Sequence, residues 1–306
     1  MAEATKQAIE LYFQKKISEG QSVQITDFHQ PSAGWSDEAF TFTVNWEQNG
    51  EMHQKGFAIR KQNKGGLMTE YQDSYQHFKL LDRLSKHSDL PVPGVHWYET
   101  DEAILGGTFF VMDKLPGKSY VPWSKEGKQF FKRAHEEGEI PLQFVRHLAD
   151  LHLLDYKEIG LTEDLVEPSG KYGYIDSKIN EFEEMYVKYL ISPDPIMVDA
   201  LEWLKANKPA AQRLSVVHGD YRSGNLLYSK NKITGILDWE ATEIGDPMAD
   251  VAYVCAKSNR MDSPLLNYLL DKQMFLKTYS EYTGLSIDEN VLYYYEVFHQ
   301  VRFVLI

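Results

Sequence analysis

Residues 216–247 read VVHGDYRSGNLLYSKNKITGILDWEATEIGDP. Two apolar strands, each entered or followed by polar residues, bracket His218, Asp220, Asn225 and Asp238 in that order. The second run, Ile233 to Leu237, ends at Asp238, so a strand delivers that carboxylate to the end of a hairpin, facing the loop that holds Asn225. Taken singly, an Asp or Asn at a strand end is a turn former and a lone His is a structural one. The ordered set of four carries the reading.

Working outward, the chain on both sides of this stretch is helical in pattern. QFVRHLADLHLLDY, SKINEFEEMYVKYLI and DPIMVDALEWLKAN precede it, and DENVLYYYEVFHQVRFVLI closes the sequence. Upstream of Leu115-Pro116-Gly117 the texture changes. VQITDFHQ, AFTFTVNWEQNG and MHQKGFAIRK alternate with period two, as antiparallel strands do, and Asn49-Gly50 fits a hairpin turn between two of them. Residues 1–18 read as an opening amphipathic helix. A second helix is expected from about Leu67 to Lys86, stopping before Pro91, and further strands around VHWYET and GTFFVMDK. The expected fold class is α+β: a small antiparallel-sheet lobe over residues 1–115 and a mainly helical lobe over 116–306.

Composition narrows the function. With 306 residues, 43% hydrophobic and 25% charged, the chain can bury a real core and is not of disordered type. A net charge of -13 argues against a general nucleic-acid binder, which needs a concentrated basic surface. No segment approaches the roughly 20 apolar residues of a membrane span, and the first residues do not read as a secretory signal. The single cysteine, Cys255, excludes an intramolecular disulfide and a cysteine-rich zinc site, and a cytoplasmic location is expected. Cys255 itself reads as a small buried apolar residue.

Asp220 lies five positions before Asn225, the spacing of the H-R-D-x-x-x-x-N loop of kinases. Phosphoryl transfer needs one carboxylate to orient the attacking hydroxyl and take its proton, and oxygen ligands for the magnesium that neutralises the triphosphate. Asp220 suits the first role, and Asn225 and Asp238 the second. HGDYRSGNLL followed by GILDWE and IGDPMADVAYV resembles the aminoglycoside phosphotransferase and choline kinase family, from about Pro31 onward. The resemblance implies a bilobal protein-kinase-like fold and ATP- and magnesium-dependent transfer to a small-molecule hydroxyl. It also implies Asp220 as catalytic base, Asn225 and Asp238 as magnesium ligands, and His218 and Asp250 as braces of the catalytic loop and the following helix.

The same resemblance places nucleotide-binding residues upstream. PSAGWSDEAFTF, with Gly34 and Ser36, sits where the family has a hairpin over the phosphates. In FAIRK the phosphate-gripping Lys of relatives is replaced by Arg60, with Lys61 beside it. Strand alternation selects Arg60, which shares a face with Ala58, while Lys61 points away. Arg keeps the charge but is longer and planar. Glu70 resembles the helix glutamate that pairs with this cation. FFVMDKLPGKSY resembles the connector that bonds adenine through its backbone, which nominates Asp113 and Leu115. Leu148, Leu151 and His152 resemble a core-packing Leu-His helix, with no catalytic role for His152.

Only ATEI separates Trp239-Glu240 from Gly245-Asp246-Pro247, which leaves almost no room for an activation loop and favours a small-molecule acceptor over a protein. The acidic residues Glu181, Glu183, Glu184, Asp194, Asp199 and Glu202 are either the solvated faces of helices or a site for a cationic acceptor such as an amino sugar or aminoalcohol. Arg60 and EWLKANKP are similar to the family branch associated with acyl-CoA dehydrogenases, which implies hydroxylated acyl acceptors. The alternative is a nucleotide-binding regulatory pseudokinase without turnover.

Overall fold

The computed structural model describes residues 2–17, 22–30, 37–62, 74–189, 192, 194–260 and 263–305. Its first helix, α1 (Ala2–Ile17), places Ile9, Tyr12 and Phe13 on one stripe and buries all three. The stripe lies on an antiparallel sheet built from β1 (Val23–His29), β2 (Asp37–Gln48) and β3 (Glu51–Gln62). Asn49 (φ 56°) and Gly50 (φ 80°) are both left-handed, the backbone that a two-residue hairpin loop requires and that these residue types tolerate.

The helix α2 (Ser74–His87) buries Leu80, Leu81 and Leu84. Its expected start near Leu67 lies outside the described residues. After it come β4 (Val95–Glu99), the short helix α3 (Glu102–Leu105), capped by the Asp101 side chain, and β5 (Phe109–Asp113). The strand order is β1-β2-β3-β5-β4, all neighbours antiparallel. The core on the α1 face is aromatic: the Phe13 ring meets Phe42 at 5.3 Å, Phe57 at 4.9 Å and Trp97 at 5.6 Å, all edge-on. These elements form one unit, Met1–Pro116.

The second unit, Gly117–Ile306, is mainly helical. Its helices α4 (Lys125–Glu137) and α5 (Glu139–Leu153) are separated by Gly138 in the left-handed conformation (φ 79°). α5 buries Phe144, Val145, Leu148, Ala149, Leu151 and His152, a stripe at helical spacing. Next come α6 (Gly173–Tyr189) and α7 (Pro195–Ala206), the second capped by Asp194. Four short strands follow: β6 (Ser215–Val217), β7 (Leu226–Ser229), β8 (Lys232–Ile236) and β9 (Glu243–Gly245). They pair as two antiparallel ribbons, β6 with β9 and β7 with β8.

All eight residues of α8 (Met248–Cys255) are buried, as an apolar helix surrounded by others must be. Burial pushes the Cys255 thiol up to about 12. The chain ends with α9 (Lys272–Thr283) and α10 (Glu289–Leu305), the latter packed on α8. No helix among the described residues is long and apolar enough to cross a membrane.

Candidate active site

Strand β6 runs straight into the motif. At its end Gly219 turns with φ 79°, and a Cβ there would stand 2.5 Å from the Ala241 carbonyl oxygen, so only glycine fits. The turn aims two backbone donors at one carboxylate on α8. The His218 N–H donates to Asp250 Oδ2 (2.7 Å) and the Gly219 N–H to Asp250 Oδ1 (2.8 Å). His152 of α5 bonds the same Oδ2 through Nε2 (3.1 Å) and meets the Tyr279 hydroxyl through Nδ1 (2.6 Å). Burial alone would raise the Asp250 carboxyl. The hydrogen bond and charge of His152, with His218, overcome it and hold the group below its usual range.

His218 Nε2–H donates to Leu237 O (3.0 Å), while Nδ1 accepts the Asp220 N–H (3.2 Å). That pattern needs the neutral ring, and burial lowers the His218 value accordingly. Asp220 is thereby fixed through its backbone, and its carboxylate is fixed as well. Oδ2 accepts from Asn225 Nδ2 (2.6 Å). Oδ1 accepts from Arg222 Nε (3.1 Å) and, in a very short contact, from the Tyr253 hydroxyl of α8. Burial works against the Arg222 charge, but Asp220 beside it prevails and raises its value. Burial, then Asp220, pushes the Tyr253 phenol up, so it stays a donor. From α10, Arg302 Nη1 donates to Gly219 O (2.8 Å).

Asn225 Nδ2 donates to both the Asp220 carbonyl (3.0 Å) and Asp220 Oδ2, so Oδ1 is the atom it offers a cation. Its carbonyl accepts the Leu237 N–H (2.8 Å), which ties the loop to the end of the β7–β8 hairpin. One residue on, Asp238 is exposed and left-handed (φ 60°), close enough that its charge acts on Arg222 and His218. Two hard oxygen donors thus come from adjacent turns, a set that suits magnesium, which takes its remaining ligands from water and phosphate.

The upstream candidates fall in the first unit. Gly34, Ser36 and Glu70 lie outside the described residues. Arg60 pairs with Ala39 on β2 and Phe110 on β5, and the Phe110 ring meets His77 and Phe78 of α2. Ala58 is two positions along the same strand, buried, opposite Thr41 and Met112. Lys61 donates to the Leu105 carbonyl (3.3 Å) and pairs with Glu38. Asp113 gives its N–H to Gly94 O (2.8 Å), and its side chain is held by Lys55 (2.7 Å) and His96 (2.8 Å). Leu115, two residues on, is half-buried.

A cavity of about 310 Å³ opens beside Asp220, walled by Pro122, Trp123, Arg222, Tyr253, Asn259 and Phe303 among others. Its aromatic side chains are Trp123, Tyr253 and Phe303, and among the described residues Asp220 is the only carboxylate in its wall. Four of the six acidic residues in and around α6 and α7 are engaged within these helices: Glu181 with Lys178 (2.6 Å), Glu183 with Lys205 (2.6 Å) and Glu202 with Lys205 (2.8 Å), while Asp194 caps α7. Sequence reading missed Tyr253, Trp123, Phe303 and Arg302. Tyr253 stands in the quoted IGDPMADVAYV, but only a folded α8 turns it onto Asp220. His152 also does more than pack, since it holds the carboxylate that holds the loop.

Comparisons with known proteins bear on the family and the fold. The model of the phosphotransferase enzyme family matches residues 27–283. Mouse acyl-CoA dehydrogenase family member 10 is 30% identical over 200 residues, 64% of this chain and 18% of that protein. The chain spans less than a third of the length of the acyl-CoA dehydrogenase relatives it matches. An aminoglycoside 3'-phosphotransferase of Niallia circulans is 26% identical over 67% of this chain and 71% of its own length. Among solved structures, a thermostable mutant of aminoglycoside phosphotransferase APH(4)-Ia in ternary complex with AMP-PNP and hygromycin B superposes with a TM-score of 0.64. Its identity is 17%, over 97% of this chain and 90% of that one, a likeness of fold. The chain belongs to the phosphotransferase enzyme family.

Proposed function

We propose that the protein is an ATP- and magnesium-dependent phosphotransferase that moves the γ-phosphoryl group to a hydroxyl of a small molecule. The observation that carries this reading is the Asp220 carboxylate, held by Asn225, Arg222 and Tyr253 at the wall of a cavity able to seat an acceptor. The acceptor hydroxyl donates to Asp220 and attacks the γ-phosphorus in line. The new O–P bond forms as the bond to the β-phosphate bridging oxygen breaks, the hydroxyl proton passes to the carboxylate, and ADP leaves. Bound magnesium supplies charge neutralisation for the triphosphate. Asn225 Oδ1 and the Asp238 carboxylate hold it.

In the first unit Arg60 grips the phosphates, and the Asp113 carbonyl and Leu115 N–H bond the adenine edge. Asp113 stands at the end of β5, with its own N–H given to Gly94 O. Ala58 supports the base from the same strand, and Gly34, Ser36 and Glu70 complete the site in the family's manner. A cytoplasmic location accords with the single, buried thiol.

The acceptor carries an apolar part. Trp123 and Phe303 offer exposed ring surface in the cavity, and Glu181, Glu183 and Glu202 of the acidic helices are paired with lysines, which leaves fewer counter-charges for a polycationic antibiotic. Hydroxylated acyl compounds fit, in keeping with the names of the acyl-CoA dehydrogenase relatives. A thermal-shift titration with ATP and GTP, each with and without magnesium, followed by a transfer screen over hydroxyacyl compounds, aminoalcohols, sugars and aminoglycosides, tests this. Magnesium-dependent stabilisation and transfer to a hydroxyacyl acceptor is the expected result. No stabilisation by either nucleotide would overturn the enzyme reading, and preferred transfer to an aminoglycoside would overturn the acceptor.

A further inference from the structure

A second cavity, of about 250 Å³, opens in the Gly117–Ile306 unit and shares no wall residue with the one beside Asp220. Its walls come from the entry to α6 (Lys171, Tyr172, Tyr174), the segment between α7 and β6 (Pro209, Arg213), and Tyr295 of α10. The charged side chains in this wall are Lys171 and Arg213, both cations, in a protein of net charge -13.

Arg213 is the unusual member. It is half-buried, yet among the described residues its guanidinium has no carboxylate partner and no hydrogen bond. Its neighbours are matched: Lys208 pairs with Asp176 (2.7 Å) and Lys178 with Glu243 (2.8 Å). A guanidinium drawn partly out of water without an acceptor costs free energy that an anion would recover, and its fork suits phosphate or carboxylate oxygens.

The rest of the wall is a surface for rings. Tyr174 gives its hydroxyl to Glu243 (2.9 Å) and Tyr295 gives its hydroxyl to Asp246 Oδ2 (3.0 Å), so both present carbon to the cavity. Tyr172 lies beneath both Lys171 (5.0 Å) and Lys208 (5.5 Å). Of the two acids behind the tyrosines, Glu243 is neutralised by Lys178, and Asp246 turns its oxygens to Tyr295 and to the Met248 N–H (2.9 Å).

We propose that this cavity is a second ligand site, for a small molecule with an anionic head on Arg213 and Lys171 and a ring or short apolar body against Tyr172, Tyr174 and Tyr295. The site is separate from the phosphotransfer centre and does not depend on it. Phosphate and carboxylate heads share the chemistry and are told apart by two probes.

Calorimetric titration of the full chain in magnesium-free buffer with phenyl phosphate, and separately with phenylacetate, tests the proposal. Saturable binding of at least one probe by about 10 mM is expected. The affinity should fall at least tenfold in Arg213→Gln and less in Arg213→Lys, which keeps the charge without the fork. It should be unchanged in Asp220→Asn. Lys171→Gln, at an exposed position, gives the same direction should Arg213→Gln fold poorly. Failure of both probes to bind, wild-type affinity in Arg213→Gln and Lys171→Gln, or loss of binding in Asp220→Asn would each overturn the site.

Discussion

Replacing Asp250 by Ala removes the acceptor of three buried donors at once: the N–H groups of His218 and Gly219, at 2.7 and 2.8 Å, and His152 Nε2 at 3.1 Å. Each donor left unpaired costs about 1–3 kcal/mol, and the breaking of a buried charged partner typically totals about 3–5 kcal/mol. For a unit of this size roughly 2–4 °C of Tm accompany each kcal/mol, so a fall of roughly 6–20 °C is expected. Asp250→Asn keeps the volume but turns one acceptor into a donor facing a backbone N–H, so it should retain most of the loss. Thermal and urea unfolding followed by circular dichroism at neutral pH measure both variants. Because the folded Asp250 carboxyl lies below its ordinary value, its contribution is complete above the unfolded carboxylate value and disappears as pH falls through the folded one. The gap between parent and variant should therefore close in acid. If both variants unfold within about 1 kcal/mol of the parent, the three bonds do not brace the loop.

Other substitutions separate chemistry from support. Asp220→Ala should abolish transfer while nucleotide binding, read by thermal shift, stays within about twofold. Asp238→Ala should raise the magnesium concentration needed for ATP binding at least tenfold, because a ligand oxygen is lost. Tyr253→Phe should lower kcat about tenfold with the KM for ATP unchanged, since the phenol positions the Asp220 carboxylate and meets no nucleotide; an unchanged kcat would remove it from that role. Burial pushes His299 down to about 4, so the unfolded chain binds its proton first. Stability from this residue is complete above about pH 6.5 and is lost as pH falls toward 4, by roughly 3 kcal/mol, and His299→Gln should flatten that slope.

Much of this was readable in the sequence because it is local. Period two and Asn49-Gly50 mark the hairpin of β2 and β3, and the five-residue spacing of Asp220 and Asn225 brings their side chains together as written. Tyr253, by contrast, reaches Asp220 across 33 positions and His152 reaches Asp250 across 98. Neither distance leaves a pattern in a single chain. The acidic run in α6 and α7 is ambiguous for another reason: composition counts its carboxylates, whereas only packing assigns Lys178 and Lys205 to them. Likewise Trp123 and Phe303 read as scattered aromatics until the fold sets both in one wall.

Cys255 terminates the helix that carries both Asp250 and Tyr253, and it is the only thiol in the chain. Buried and protonated, it is invisible to alkylating reagents until α8 loosens. The rate of single-site labelling is therefore a clock for opening of the helix that holds the catalytic loop. Any ligand or substitution that tightens Asp220 through α8 should slow that clock before it changes any rate of turnover.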